Sequence, residues 1–440
     1  MHAPPDIYTR PAELTQNLIR FDTTNPPGNE DTCVAYVQAL LEEAGIETTI
    51  KAKEGRRANL IARLPGRGDA PPLLLQGHVD VVTTANQSWR RDPFGGEVVE
   101  GYVWGRGALD MKGSVAMMLS AVLRAKAEGL SPAGDIVVAV LADEEQGGNY
   151  GAKWLVEEHP ELFEGVRYSI GEAGGFTTHL GGRKFYPIQV AEKQICYILA
   201  TVRGPGGHGS VPTRGGAMSK LGRLLTTLDT NRLPVHVTPV VATLVREMAE
   251  ALPPPLNASM LKLLDPATAD SVLEGIGPLG RWFDAMLHNT VNATIVKGGH
   301  AHNVIPSEIT VQLDGRLLPG FTQEQGLQEL RDLTGDYVEY QVIRFDSGPG
   351  EADMGLYGTL SGILAEADPE GIPVPFLLNG VTDGRHFARL GIQNYGWTPL
   401  LMPDEPRLMN TVHDADERVP VEGLEFGAGC MYRLLQRYGA

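Results

Sequence analysis

The chain has 440 residues, 42% of them hydrophobic and 21% charged, and a formal net charge of −17. That length supports two or three domains with a large core, and the composition is that of a soluble globular protein. The acidic balance excludes nucleic acid and anionic membrane as natural partners, and no apolar run approaches the roughly 18 residues that span a bilayer.

The N-terminal residues lack the charged and apolar regions of a signal peptide. Cys33, Cys196 and Cys430 are far apart and odd in number, so they read as reduced core thiols of a cytoplasmic protein. Residues 9–45 read as helical around a turn, Thr24-Asn25-Pro26-Pro27-Gly28-Asn29-Glu30, with Val34, Val37, Leu40 and Leu41 at helical spacing. Short strands are expected at 47–52 and 58–64. The apolar run Leu73-Leu74-Leu75 then opens a buried strand that ends in Gly77-His78-Val79-Asp80. Residues two apart on an extended segment share a face, so His78 and Asp80 would point together at the strand's C-terminal end.

A hairpin pattern at 95–105 leads to Arg106-Gly107-Ala108-Leu109-Asp110-Met111-Lys112-Gly113, ahead of a small-residue helix. The apolar strand 135–142 runs into Asp143-Glu144-Glu145. A helix at 150–158 and a strand near 167–170 follow, the strand ending in Gly171-Glu172-Ala173. Strands alternating with helices predict a mostly parallel α/β sheet. Three successive strands stopping at acidic or histidine residues are more than helix capping requires.

After residue 190 the pattern changes. Strand 194–203, a glycine-rich turn with His208, a helix from about 214 to 229, strands 291–298 and 307–316, a helix at 322–333 and a strand at 337–345 give a β-α-β-β-α-β order. That order predicts a ferredoxin-like α+β sandwich with a helical insertion at about 231–290. From about 355 the first pattern resumes through Thr382-Asp383-Gly384-Arg385 and Thr411-Val412-His413, and an amphipathic helix at 420–437 closes the chain. The expected division is 1–192 with 346–440 as one domain, and 193–345 inserted into it.

The candidates are His78, Asp80, Asp110, Glu144, Glu145, Glu172 and His413, and two histidines with three carboxylates, one of them shared, suit two divalent ions. Nitrogen and oxygen ligands favour zinc, with cobalt or manganese as alternatives, and the lack of cysteine ligands argues against a structural zinc site. Of adjacent Glu144 and Glu145, one can bind metal while the other accepts a proton.

These motifs, with Gly207-His208-Gly209-Ser210 and Asn303-Val304-Ile305-Pro306-Ser307, resemble the dinuclear zinc peptidase and deacylase family of glutamate carboxypeptidase, carboxypeptidase S, the aminoacylases, acetylornithine deacetylase and succinyl-diaminopimelate desuccinylase. The resemblance covers about residues 9–437. It implies a phosphorylase/hydrolase-like three-layer sandwich carrying an inserted lid, and a homodimer formed through that lid. It assigns one metal to each of His78, Glu145, Glu172 and His413, and makes Asp110 the bridge. Asp80 would orient His78, Glu144 would be general base and then general acid, and the Asp110–Met111 bond would be cis. His208 would reach the partner subunit's active site, with Asn303 from the same surface. Arg316 would hold the substrate carboxylate, with Arg385 as a second candidate. Thr83 and Ser114 depart from the family pattern at positions that are not ligands. The implied activity is hydrolysis of an amide bond beside a free carboxylate in a small peptide, in the manner of the carboxypeptidase S-like branch. The alternative is deacylation of an N-acyl amino acid. A non-catalytic scaffold is disfavoured because every ligand and the base are present.

Overall fold

The computed structural model describes residues 6–348 and 350–439. The chain forms two compact units. Residues up to 190, 353–376 and from 382 onward make the first, and residues 191–352 with 377–381 make the second.

The first unit is built on apolar strands buried on both faces. Leu73–His78 pairs in parallel with Ile136–Leu141 on one side and with Tyr168–Gly171 on the other. Tyr168–Gly171 in turn pairs in parallel with Gln393–Gly396. Every residue of Ile136–Leu141 and of Leu73–His78 is buried, as a sheet covered by helices requires. Further strands extend this parallel centre on both sides, with Ala58–Leu64 and Glu47–Ala52 antiparallel at one edge, and Arg183–Glu192, antiparallel to Gln393–Gly396, followed by Gly371–Leu378 at the other. The α/β sheet expected to be mostly parallel from the alternating pattern is present, with its parallel pairs at the centre. The register places His78 opposite Leu141, so the segments after three neighbouring strands emerge at the same end of the sheet. Those segments carry Asp80, Asp143–Glu145 and Glu172.

Helix Lys112–Ala127 is buried along almost its whole length, which explains its small residues. It packs on the closing helix Val421–Arg437. A Cβ at Gly427 would lie 2.1 Å from Met117 Sδ and 2.2 Å from the Pro399 carbonyl, so only glycine permits that approach.

In the second unit, strands Thr290–Lys297, Glu308–Leu317, Gln194–Arg203 and Val338–Asp346 form an antiparallel sheet in that spatial order. With helices Ala217–Thr230 and Gln323–Thr334 this is a ferredoxin-like sandwich. Its core includes Ile198, Val202, Leu224, Val311, Leu313 and Leu330. Thr322 and Gln325 close the second helix's start with a capping box. Helices Pro239–Ala251, Leu256–Leu261, Ala269–Gly275 and Pro278–Leu287 fill the interval between first helix and second strand. The helix expected from 214 begins at Ala217, because Gly215 takes a left-handed φ of 69° and Gly216 is extended. Strands Arg183–Glu192, Gly371–Leu378 and Gln393–Gly396 were not anticipated. The segment 377–381 joins the second unit through Lys193 N donating to Leu378 O at 3.1 Å and Asn379 Nδ2 donating to Trp282 O at 3.2 Å.

Candidate metal centre

His78 ends its strand with its imidazole buried. Its Nδ1 lies 3.0 Å from the Asp80 backbone carbonyl, which fixes the proton on that nitrogen and leaves Nε2 as a lone-pair donor. Nε2 is 3.1 Å from Asp110 Oδ1 and 3.6 Å from Glu172 Oε2. On the other side of Asp110, Oδ2 is 3.0 Å from His413 Nε2, and His413 Nε2 is 3.2 Å from Glu145 Oε2. Two groups of potential metal donors result, His78–Asp110–Glu172 and Asp110–Glu145–His413, and each set of ligand atoms falls within 4.8 Å. Asp110 belongs to both and offers one oxygen to each. The Asp110–Met111 peptide is cis.

The donors fit divalent cations. Three carboxylates and two imidazoles converge in these groups, with no lysine or arginine among them, a charge arrangement that requires cations. Glu145 Oε1 is buried and has no hydrogen-bond partner among the described residues, an orphaned acceptor on a residue of one donor group.

The electrostatics match this crowding. Burial pushes the Glu172 carboxyl up to about 7 despite the His78 hydrogen bond that opposes it. Burial, reinforced by the Glu172 carboxylate, holds Glu144 well above the usual carboxylate range, against the pull of His78. Hydrogen bonds that His413 donates to Asp110 and Glu145 raise its imidazole to about 10. Burial works against Asp110, yet His413 and His78 hold its carboxyl far below the ordinary value.

Glu144 and Glu145 form a turn behind Asp143, which adopts φ +69°. Glu145 faces His413, whereas Glu144 Oε1 lies 3.9 Å from Arg385 Nη1. Arg385 is buried and also donates to Thr382 O at 2.7 Å. The Asp80 carboxylate stands 3.5 Å from His78 Nδ1 and is the acceptor for the Glu144 and Glu145 amides at 3.1 and 3.2 Å. Asp80 thus orients the histidine chiefly through its backbone oxygen and holds the glutamate turn with its side chain.

The remaining expected site residues belong to the second unit. His208 and Asn303 are neighbours there. Strand Gly207–His208 pairs with Val304–Ile305, and the Asn303 carbonyl accepts from Gly209 N at 2.8 Å. Both side chains are exposed, and His208 Nδ1 is 2.7 Å from Ser210 Oγ. Arg316 forks onto Asp314, with Nε to Oδ1 at 2.6 Å and Nη2 to Oδ2 at 3.1 Å.

Three supporting groups escaped the sequence reading. Glu417 is fully buried, and its oxygens accept from the amides of Gly107, Leu109 and Asp110 and from Arg106 Nη1 at 2.6 Å. Asp383 is buried, and burial pushes its carboxyl up to about 7 beside the Glu144–Arg385 pair. Asn25 read as ordinary turn chemistry, yet its side chain donates to Asp80. Nothing in the local sequence marks any of the three as buried, because the groups they hold lie far away along the chain.

A two-domain hydrolase with paired metal-ligand sets is the class this fold and site define. Residues 74–437 match the profile of peptidase family M20/M25/M40, and the chain belongs to that family. It is 26% identical over 393 residues to a probable carboxypeptidase S-like 2 from Dictyostelium discoideum, covering 83% of this chain and 71% of the relative. It is 28% identical over 379 residues to the N-fatty-acyl-amino acid synthase/hydrolase PM20D1 of Xenopus tropicalis, covering 83% and 72%. In fold it resembles the M20 family metallo-carboxypeptidase Sso-CP2 from Sulfolobus solfataricus, with a TM-score of 0.70, 15% identity and 98% and 99% coverage. The protein is therefore an enzyme of a metallopeptidase and amidohydrolase family. Among the described residues, no helix is long and apolar enough to cross a membrane.

Proposed function

We propose that the chain is a two-zinc hydrolase that cleaves an amide bond next to a free carboxylate, as a carboxypeptidase or dipeptidase does. The observation that carries this reading is Asp110, which turns one carboxylate oxygen toward His78 and the other toward His413. His78 and Glu172 would hold one ion, Glu145 and His413 the other, and Asp110 both. Zinc, with cobalt or manganese as alternatives, would supply Lewis acidity and activate water toward the carbonyl.

The chain's own residues do the rest. Glu144, raised by burial, takes the proton released as water attacks and returns it to the leaving amine. Asp80 keeps His78 in the tautomer that exposes Nε2 and keeps the Glu144–Glu145 turn in place. His208, contributed by the partner copy of a homodimer built through the lid, donates to the developing oxyanion, with Asn303 beside it. Arg316 holds the substrate carboxylate by exchanging its fork on Asp314 for the substrate, and Arg385 is the second candidate for that contact. Three free, buried thiols support a reducing, cytoplasmic setting.

The second reading is an N-acyl-amino-acid deacylase, favoured by the name of the PM20D1 relative and using the same groups. A panel of dipeptides and N-acyl amino acids, assayed with added zinc, cobalt and manganese, tests both. Hydrolysis confined to substrates that release an amino acid with a free carboxylate is expected, and the preferred panel half decides between peptidase and deacylase. Equal cleavage of substrates whose carboxylate is amidated would refute the carboxylate requirement.

A further inference from the structure

Three buried carboxylates lie behind the metal-ligand groups and bind no metal in the proposed scheme: Glu30, Asp80 and Asp143. All three are almost completely shielded from solvent. Buried carboxylates at such spacing require donors between them. Arg57 supplies one side, forking onto Glu30 with Nε–Oε2 and Nη2–Oε1 at 2.9 Å each, while Nη2 also reaches Asp143 Oδ1 at 2.9 Å. Among the described residues, no lysine or arginine side chain bridges Asp143 to Asp80. The side chain of Asn25 does so, with Nδ2 donating to Asp80 Oδ2 at 2.8 Å and to Asp143 Oδ1 at 3.0 Å.

An amide nitrogen has two hydrogens and adds no charge, so one residue satisfies two carboxylates without drawing either toward a cation. The reverse amide orientation would set Oδ1 against both carboxylate oxygens. The backbone holds this amide in place: Asn25 N donates to Val81 O at 2.8 Å, and Val81 N donates to Thr23 O at 3.2 Å. Asp80 and Asp143 flank the Glu144–Glu145 turn. Asp80 accepts both of that turn's amides, and Asp143 immediately precedes it and accepts from Tyr150 N at 3.1 Å.

We propose that Asn25 is a positioning residue for the reaction: its carboxamide clamps Asp80 to Asp143 and so sets where Glu144 and Glu145 point. The inference rests on the two-metal hydrolase reading, and it acts through Asp80 without any contact to substrate. Removing both hydrogens frees the Asp80 carboxylate to rotate, and the glutamate turn moves with it. Supporting groups of this kind are typically worth about 10–100-fold in activity or metal affinity.

The test compares Asn25→Ala and the near-isosteric Asn25→Leu with Thr23→Val. The Thr23 variant loses one hydrogen bond from the same loop, Thr23 Oγ1 to Val79 O. Each full-length protein is loaded with cobalt, and metal stoichiometry, the visible spectrum, melting temperature, kcat and KM are measured. Both Asn25 variants should keep two ions, show a changed cobalt spectrum and lose about 10–100-fold in kcat, with KM within about threefold. Thr23→Val should melt lower while retaining wild-type kcat. Unchanged kcat in the Asn25 variants overturns the clamp, and so does an equal kcat loss in Thr23→Val at a matched drop in melting temperature. A wild type that takes up no cobalt and cleaves no amide fails at the earlier step and overturns the hydrolase reading as well.

Discussion

Two adjacent glutamates are chemically identical, so their roles must come from where the turn aims them. Glu145 Oε2 sits 3.2 Å from His413 Nε2, inside a donor group. Glu144 has burial, Glu172 and Asp383 raising its carboxyl, and a single arginine 3.9 Å away. A carboxyl held high takes a proton readily and is poorly suited to stay bound to a cation. Glu144→Gln removes the proton acceptor and preserves the shape. It should bind two metal ions as the wild type does while losing at least about 10³-fold in kcat, read by metal analysis and steady-state kinetics on one preparation. If Glu144→Gln loses an ion and Glu145→Gln does not, the two roles are reversed.

At the scale of elements, the groups gather because neighbouring parallel strands end together and the following loops are tied by buried carboxylates. Glu417 follows His413 by four residues, and its side chain closes the loop of Gly107–Asp110. Gln87 completes the tie by accepting from Arg106 Nη2 and donating to the His413 carbonyl, both at 2.7 Å. Glu417→Gln would turn an amide hydrogen toward backbone donors and leave Arg106 buried without its charge partner, at a cost of about 3–5 kcal/mol. A lower melting temperature and about 10–100-fold weaker metal retention in chelator competition are expected, and wild-type values in both would remove Glu417 from this role. The strand ends themselves were legible in the sequence, because Leu73–Leu75 and Ile136–Leu141 are unbroken apolar runs that stop at chemistry-bearing residues. The ties were not legible, since Asn25, Arg57 and Glu417 lie 27–311 residues from what they hold, and nothing local marks a polar residue as buried. Gly371–Leu378 escaped because Pro373 and Pro375 break a strand pattern, and the sheet admits them at its edge.

For the whole molecule, the metal-ligand cluster makes folding depend on pH when cations are removed. Glu172 and Asp383 titrate near 7 in the fold and His413 near 10, all above their ordinary values. At these three groups the folded chain therefore binds more protons than the unfolded chain across roughly pH 4–10, so their part of the metal-free stability falls as pH rises through that window, outweighing the opposite contribution of Lys193, which burial pushes down to about 7. Asp80 and Asp110 are shifted down, and their contribution is lost only below the ordinary carboxylate range. Chelated protein should thus melt lower at pH 8.5 than at pH 5.5, and added zinc should raise the melting temperature most at pH 8.5, where it displaces the fewest protons. A chelated protein whose melting temperature rises over the same interval would contradict the sign. The second unit supplies the other whole-molecule property. Its edge strand Thr290–Lys297 is exposed along most of its length and carries Ile295 and Val296, a surface suited to pairing with a twin. If His208 serves a partner's site, His208→Ala should keep its metal, fold and dimer while losing about 10²–10³-fold in kcat, the usual worth of one oxyanion donor. Mixed with Glu144→Gln, it gives heterodimers in which one site lacks both groups and the other has both. Random exchange makes half of all dimers mixed, each with one complete site, so two nearly inactive proteins should recover up to about a quarter of wild-type activity. Activity that stays at the level of the separate variants, with subunit exchange shown by differently tagged chains, would assign His208 to its own subunit or to no site at all.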